Sequence, residues 1–277
     1  MKKSKTPAQH GFIGCGRMAE IILSAMLSAK IVAPARVIVS RRSAAALKRI
    51  KSRLKVKTTT DNREAAAKVS MVWIGVKPAQ AETVLKEIRP VIGPKTTVVS
   101  MMAGVPIRSL HRHLGNTVSV VRLMPNTPAL LGAGATGVYF SAMVPHAVRA
   151  SIKKIFGTLG EVEVLSREDL LDAVTGLSGS GPAFVYEFAE GMIQGGVKSG
   201  LSAAQARGLA LQTLWGAGQM LKKSGLKPEA LIRQVVSKGG TTEAGLKAMK
   251  KNRTRDGVAR AVLAATRRAR AIREGKK

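Results

Sequence analysis

The chain has 277 residues, 45% of them hydrophobic, with 46 Lys plus Arg against 16 Asp plus Glu, a formal charge of +30. That length suits a well-buried core and two domains, while no apolar run approaches the roughly 20 residues that cross a bilayer, so a membrane-spanning helix is excluded. The single cysteine, Cys15, excludes an internal disulfide framework, and four scattered histidines (His10, His111, His113, His146) make no metal set, so no metal is expected.

The opening Met-Lys-Lys-Ser-Lys-Thr-Pro is basic but lacks the apolar core of a signal peptide, and the expected compartment is the cytoplasm. A short apolar strand then leads into Gly11-Phe-Ile-Gly-Cys-Gly-Arg-Met-Ala19, after which Met18, Ile21, Ile22, Ala25 and Met26 line one face of a helix. This is a Gly-x-Gly-x-x-Ala fingerprint between strand and helix. Gly14 permits the tight turn, Gly16 lets a pyrophosphate approach the backbone, and Ala19 allows close packing of helix on strand. The phosphates then lie at the helix N-terminus, beside Arg17 and Met18, where unpaired N–H groups and the helix dipole favour negative charge. A purely structural glycine turn is the alternative.

A second strand, Val37–Val39, ends in Ser40-Arg41-Arg42-Ser43. An acid near this point would accept the ribose hydroxyls of NAD, whereas arginine suits a 2′-phosphate, so the expected cofactor is NADPH, with NADH less favoured. In so basic a chain the two arginines also read as surface charge. Alternation continues with a helix over Ser43–Arg53, a strand at Val56–Thr58, a cap at Asp61-Asn62, and a strand over Met71–Val76 that Lys77-Pro78 terminates. Strands follow at Thr97–Ser100 and Val118–Leu123, with Val105-Pro106 opening the helix between them. This order implies a mostly parallel sheet covered on both faces, with a ligand crevice at the C-terminal ends of its strands. Val76-Lys-Pro78, Ser100-Met-Met-Ala-Gly104 and Leu123-Met-Pro-Asn-Thr-Pro128 sit at those ends. They add Val76, Lys77, Pro78, Ala103, Gly104 and Asn126 to the cofactor candidates, and Asn62 of the earlier cap joins them. Asn126 offers an amide to a nicotinamide carboxamide or a substrate, although Met-Pro-Asn-Thr-Pro also reads as an ordinary proline-rich turn.

A strand pair, Ala135–Phe140 and Glu161–Leu165, flanks a helix from Pro145 to Thr158, and Ser166-x-x-Asp169 resembles an N-cap. The domain boundary is placed there: residues 1–165 bind the dinucleotide and 166–277 are helical. Asp172-Ala-Val-Thr-Gly-Leu-Ser-Gly-Ser-Gly-Pro-Ala-Phe184 interrupts an apolar helical pattern with glycines, two serines and a proline. It reads as a small-molecule site carrying Thr175, Ser178 and Ser180, or as a glycine-kinked packing helix. Helices follow to Ser199, over Ser202–Ser224, Pro228–Ser237, Thr241–Lys250 and from Thr254 onward. Glycines at 191, 195, 196, 208, 216 and 218 favour close helix approach, and so thin a domain favours pairing with a second copy. Ser237-Lys-Gly-Gly-Thr-Thr242 offers backbone N–H groups and hydroxyls to a carboxylate-sized anion, or is a plain capped turn. The aromatic content of 3% leaves few base-stacking platforms, so the positive charge reads as a solvated coat that steers anions and not as a nucleic-acid surface.

These motifs together resemble the pyrroline-5-carboxylate reductase family along essentially the whole chain. The hinge stretch 172–184 and Gly239-Gly-Thr-Thr242 carry most of that resemblance. It implies a doubly wound Rossmann-type domain followed by an all-helical dimerisation domain. It also implies reduction of the C=N bond of 1-pyrroline-5-carboxylate by NADPH to give L-proline, in a homodimer where one subunit's substrate loop faces its partner's cofactor domain. Ser237, Gly239, Gly240, Thr241 and Thr242 map to the family's substrate grip, with Lys238 where proline is usual. Thr242, and less directly Thr175, are the candidates for relaying a proton at the ring nitrogen. Such a reduction needs hydride alignment and no strong acid or base, which suits loops without paired carboxylates or histidine. The rivals are another NADP-dependent dehydrogenase using Lys198 or Lys222, and a nucleic-acid-binding protein on a dinucleotide-binding scaffold.

Overall fold

The computed structural model describes residues 9–276, and the basic opening segment lies outside them. Eight strands form one sheet: β1 (His10–Ile13), β2 (Val37–Ser40), β3 (Lys57–Thr59), β4 (Met71–Ile74), β5 (Thr97–Ser100), β6 (Ser119–Met124), β7 (Gly134–Phe140) and β8 (Gly160–Val164), in the order β3-β2-β1-β4-β5-β6-β7-β8. Every pair is parallel except β6 with β7. The strand order reverses between β1 and β4, and a ligand crevice belongs at that switch point.

The helices of this part are α1 (Arg17–Ser28), α2 (Ala44–Leu54), α3 (Asn62–Ala66), α4 (Ala81–Ile88), α5 (Ile107–Leu114), α6 (His146–Gly157) and α7 (Leu170–Val174). Because side chains alternate across a strand, each buried strand serves two cores. Phe12, Trp73, Val99 and Val121 face one core with Ile22, Met26, Ile155 and Phe156, whereas Ile13, Val72, Ile74, Val98 and Val120 face the other with Leu85, Ile88 and Leu110. Trp73 stacks on Phe12 at 5.2 Å and donates its indole N–H to Nδ1 of buried His10 at 3.1 Å. β4 stops at Ile74, two residues short of the expected Val76, where Gly75 passes too close to the Gly14 carbonyl to hold a side chain comfortably.

After α7 the chain does not break at the glycines. Thr175–Gly179 forms one π-helical turn, with Ser180 N–H donating to the Thr175 carbonyl at 2.9 Å, and helix α8 (Gly181–Lys198) follows at once. The expected cap at Ser166 is not what starts α7. The first residue before it is Asp169, whose carboxylate is held by Arg167 through two 3.1 Å bonds and caps nothing.

Two compact units result, drawn differently from a division at residue 165. One comprises the residues through Ser180 together with those from Ala264 onward; the other is Gly181–Leu263. The first unit reaches past 165 because α7 and the π turn pack on β6 and β7, where Gly137 leaves room for Val174. Its last segment is tied by a 2.7 Å ion pair from Arg273 to Asp172, both largely buried. The second unit holds α8, α9 (Ala203–Lys223), α10 (Pro228–Val235), α11 (Thr241–Lys251) and the start of α12 (Thr254–Arg273). Ser202 caps α9 in a reciprocal capping box with Gln205. Gly196 brings α8 against Ala206, whereas a side chain added at Gly191, Gly195, Gly208, Gly216 or Gly218 would meet nothing within 4 Å beyond its own helix in the single chain.

Among the described residues no helix is long and apolar enough to cross a membrane, and no group of His, Cys, Asp and Glu could hold a metal ion.

Candidate functional site

The fingerprint turn is built between β1 and α1. Gly14 has φ +70°, and a side chain there would strike Val76, so both its backbone and its packing require glycine. Gly16 is different. Its φ of −82° suits any residue, and an added Cβ would find nothing nearer than the Gly14 carbonyl at 3.9 Å. The fold leaves the space in front of Gly16 open, at the N-cap of a 12-residue helix with no side-chain cap. The first intrahelical bond is Glu20 N–H to the Gly16 carbonyl, so the N–H groups of Arg17, Met18 and Ala19 remain for an anion. A diphosphate fits that cradle. Beneath it Cys15 is fully buried, and burial, with a smaller contribution from the Glu20 carboxylate, pushes its thiol up to about 12.

A cleft of about 650 Å³ opens beside this turn, lined by Gly14, Gly16, Arg41, Arg42, Ser43, Asn62, Val76 and Lys77 among others. Seven of the cofactor candidates named from sequence, Gly14, Gly16, Arg41, Arg42, Asn62, Val76 and Lys77, line it together. They do not play equal parts. Arg41 Nη1 donates to the Cys15 carbonyl at 3.1 Å and to Glu20 at 3.3 Å, and Glu20 also holds Arg53 at 2.6 Å, so Arg41 serves to fasten β2 to α1. Arg42 is exposed, and no hydrogen bond or ion pair engages it among the described residues. Ser40 is buried and turned inward, donating to Asn62 Oδ1 at 2.7 Å, while Asn62 Nδ2 donates to Glu87 at 2.8 Å. Ser40 therefore shapes the cleft from below. Pro78, Ala103, Gly104 and Asn126 do not line the cleft. Gly104, at φ +73°, is instead the seat for Ile272.

At the C-terminal ends of β5 and β6 stand residues that sequence reasoning missed. Arg122 is 4% exposed and donates to Glu168 at 2.9 Å, and the same carboxylate oxygen accepts Ile107 N–H at 2.7 Å. With the Arg273–Asp172 pair, this fixes the entry and body of α7 on the sheet. A charged residue inside the apolar run Val120-Val-Arg-Leu123 was the available signal, because a buried charge has to be paired. Thr175 and Ser178 donate their hydroxyls back to the Leu171 and Val174 carbonyls at 2.7 and 3.1 Å. Asn126 accepts Ala135 N–H at 2.8 Å and donates to the Ser178 carbonyl at 3.0 Å, so its amide is engaged by backbone and not offered outward as expected.

In the helical unit, Ser237–Thr242 forms the turn into α11. Gly239 has φ +74°, and at Gly240 the Ser237 hydroxyl fills the place of a side chain. Not all of its amides are open. Gly239 N–H donates to the Glu243 carboxylate at 2.7 Å and Gly240 N–H to the Ser237 carbonyl at 3.0 Å, which leaves the Thr241, Thr242 and Glu243 N–H groups at the helix start. The Gly239 N–H, and next the ammonium of Lys247 at 3.0 Å, hold the Glu243 carboxyl below its usual range. Lys238 is exposed, as are Ser237 and Thr241, and Thr242 is half-buried.

A doubly wound sheet with an open glycine turn at its switch point, followed by an all-helical unit, defines a nicotinamide-dinucleotide oxidoreductase with a helical association domain. Residues 9–104 match the model described as "NADP oxidoreductase coenzyme F420-dependent", and 168–272 match "Pyrroline-5-carboxylate reductase dimerisation". The chain is 38% identical to a pyrroline-5-carboxylate reductase of Synechocystis, covering 97% of this chain and 99% of that one. Among solved structures, the pyrroline-5-carboxylate reductase of Coxiella burnetii superposes with a TM-score of 0.90 at 32% identity, over 98% of this chain and 99% of that one. A Plasmodium falciparum pyrroline carboxylate reductase solved with NADP bound gives 0.86 at 30% identity, over 96% and 98%. The chain belongs to the pyrroline-5-carboxylate reductase family.

Proposed function

We propose that the protein reduces the C=N bond of 1-pyrroline-5-carboxylate to give L-proline, with NADPH preferred to NADH. The observation that carries this is the open Gly16 cradle beside an unengaged Arg42, in a member of this family. In this reading Arg17, Met18 and Ala19 present N–H groups to the diphosphate and Arg42 takes the 2′-phosphate, in the cleft that Asn62, Val76 and Lys77 also line. When bound, NADPH supplies the hydride that the C=N carbon receives. On the protein side, the Thr241 and Thr242 N–H groups with the Ser237 hydroxyl hold the substrate carboxylate. The Thr242 hydroxyl lies one helical residue further and is the group we assign to the ring nitrogen. Thr175 suits that task less well, since its proton is already given to Leu171.

Association through the helical unit belongs to this reading. Tyr186 and Trp215 are each 64% exposed in the single chain, on helices otherwise rich in small residues, and a second copy covering them is the economical solution. The test is NADPH oxidation on addition of 1-pyrroline-5-carboxylate, with Ser237→Ala and Thr242→Val alongside. Ser237→Ala is expected to raise the substrate KM and Thr242→Val to lower kcat. Undiminished activity in both would remove the assignment of this turn.

A further inference from the structure

Asn126 is 8% exposed and bonds backbone at both ends of its amide, to Ala135 and to Ser178. The Ser178 carbonyl has a particular need. In an α-helical ladder it would accept the N–H of the fourth residue on, which is Pro182 and has none. A carbonyl partly withdrawn from water and left unpaired is costly, and the π-helical turn at Thr175–Gly179 further departs from the regular ladder. The Asn126 side chain supplies the donor that Pro182 lacks. The same turn is seated so closely that a side chain at Gly179 would come within 2.7 Å of the Met124 methyl.

We propose that Asn126 is a positioning residue for imine reduction: it touches neither dinucleotide nor imine, and holds the π turn, with Thr175, Ser178 and Ser180, in register at the substrate. This rests on the reading that the turn borders the substrate. Asn126→Asp keeps an acceptor for Ala135 N–H but sets a carboxylate oxygen against the Ser178 carbonyl, and Pro182→Ala restores a backbone N–H that can serve that carbonyl. Steady-state kinetics and NADPH titration are run on Asn126→Asp, on Asn126→Asp with Pro182→Ala, and on Thr175→Val with Ser180→Ala. Asn126→Asp is expected to raise the imine KM about fivefold or more while leaving the NADPH Kd within about twofold, and Pro182→Ala is expected to recover part of the loss. If Asn126→Asp does not fold, Asn126→Ala with and without Pro182→Ala gives the same readouts.

An equal loss of NADPH and imine affinity, or no rescue by Pro182→Ala, overturns the positioning role. If the Thr175→Val, Ser180→Ala variant leaves the imine KM unaltered, the turn does not border the substrate and the underlying reading fails. If that variant raises the KM while Asn126→Asp does not, the positioning role alone fails.

Discussion

Removing Arg42 separates the two adjacent arginines that the sequence offers as readers of a 2′-phosphate. Arg41 is 33% exposed and committed to Glu20 and the Cys15 carbonyl, while Arg42 is exposed and lines the cleft proposed to take the dinucleotide. A hydrogen bond to a charged group contributes about 1.5–3 kcal/mol, and exposure to salt and water places Arg42 at the low end. At 1.4 kcal/mol per tenfold, Arg42→Ala should lower kcat/KM for NADPH about tenfold and leave NADH nearly unchanged. Arg41→Ala should act otherwise. It unfastens the fingerprint turn from β2 and takes one of the cations from the Glu20 carboxylate near the Gly16 turn, so both dinucleotides should lose together, with their ratio altered less than about twofold. The assay is kcat/KM for each cofactor at saturating imine, repeated at high salt, where the NADPH preference should narrow. A larger change of the NADPH/NADH ratio in Arg41→Ala than in Arg42→Ala would refute the division of labour between them.

Other outcomes follow from single groups. Burial, aided by Arg36, lowers the His10 pKa from its ordinary value near 6.5 to about 4. The unfolded chain therefore takes up a proton that the folded one resists: stability is whole above about pH 6.5 and falls by about 3 kcal/mol as the pH drops toward 4. Urea unfolding at about pH 7.5 and about pH 5 measures this, and an unchanged stability at the lower pH in wild type but not in His10→Gln would contradict it. Glu243→Ala frees Gly239 N–H and breaks the Lys247 pair, so the imine KM should rise several-fold with the NADPH KM unmoved, and Glu243→Gln should fall between; equal KM values in all three proteins would show that the turn holds itself. Cys15, buried with its thiol at about 12, should resist iodoacetamide in the folded protein and react on unfolding, and prompt labelling of the folded protein would contradict its placement.

The strands and helices were legible because their signals are local. Short continuous apolar runs mark β1, β2 and β4, Ser43 and Ser202 cap α2 and α9 as their positions suggest, and Gly14 declares itself by the strand before it and the helix after it. What sequence withheld is partner choice across distance. That Glu20 claims Arg41 and leaves Arg42, that Asn126 faces Ser178, and that Arg122 meets Glu168 depends on strand order and packing between segments 21 to 52 positions apart. The hinge shows both cases. Its glycines and proline marked the place, but a π turn in place of a break depends on the bond from Ser180 to Thr175 and on the seat that Met124 and Val174 provide. Likewise the return of the chain's last residues to the first unit hangs on Arg273 reaching Asp172, 101 positions back.

The central claim is that this chain passes a hydride to a cyclic imine, and the direct measurement is stoichiometry. Purified protein is mixed with NADPH and excess 1-pyrroline-5-carboxylate, and NADPH consumed is compared with L-proline formed. Equal amounts, abolished by Gly16→Asp in the cofactor cradle and depressed by Ser237→Ala with Thr242→Val, are the predicted result. NADPH binding without proline formation, or proline formation that survives both sets of substitutions, would contradict it.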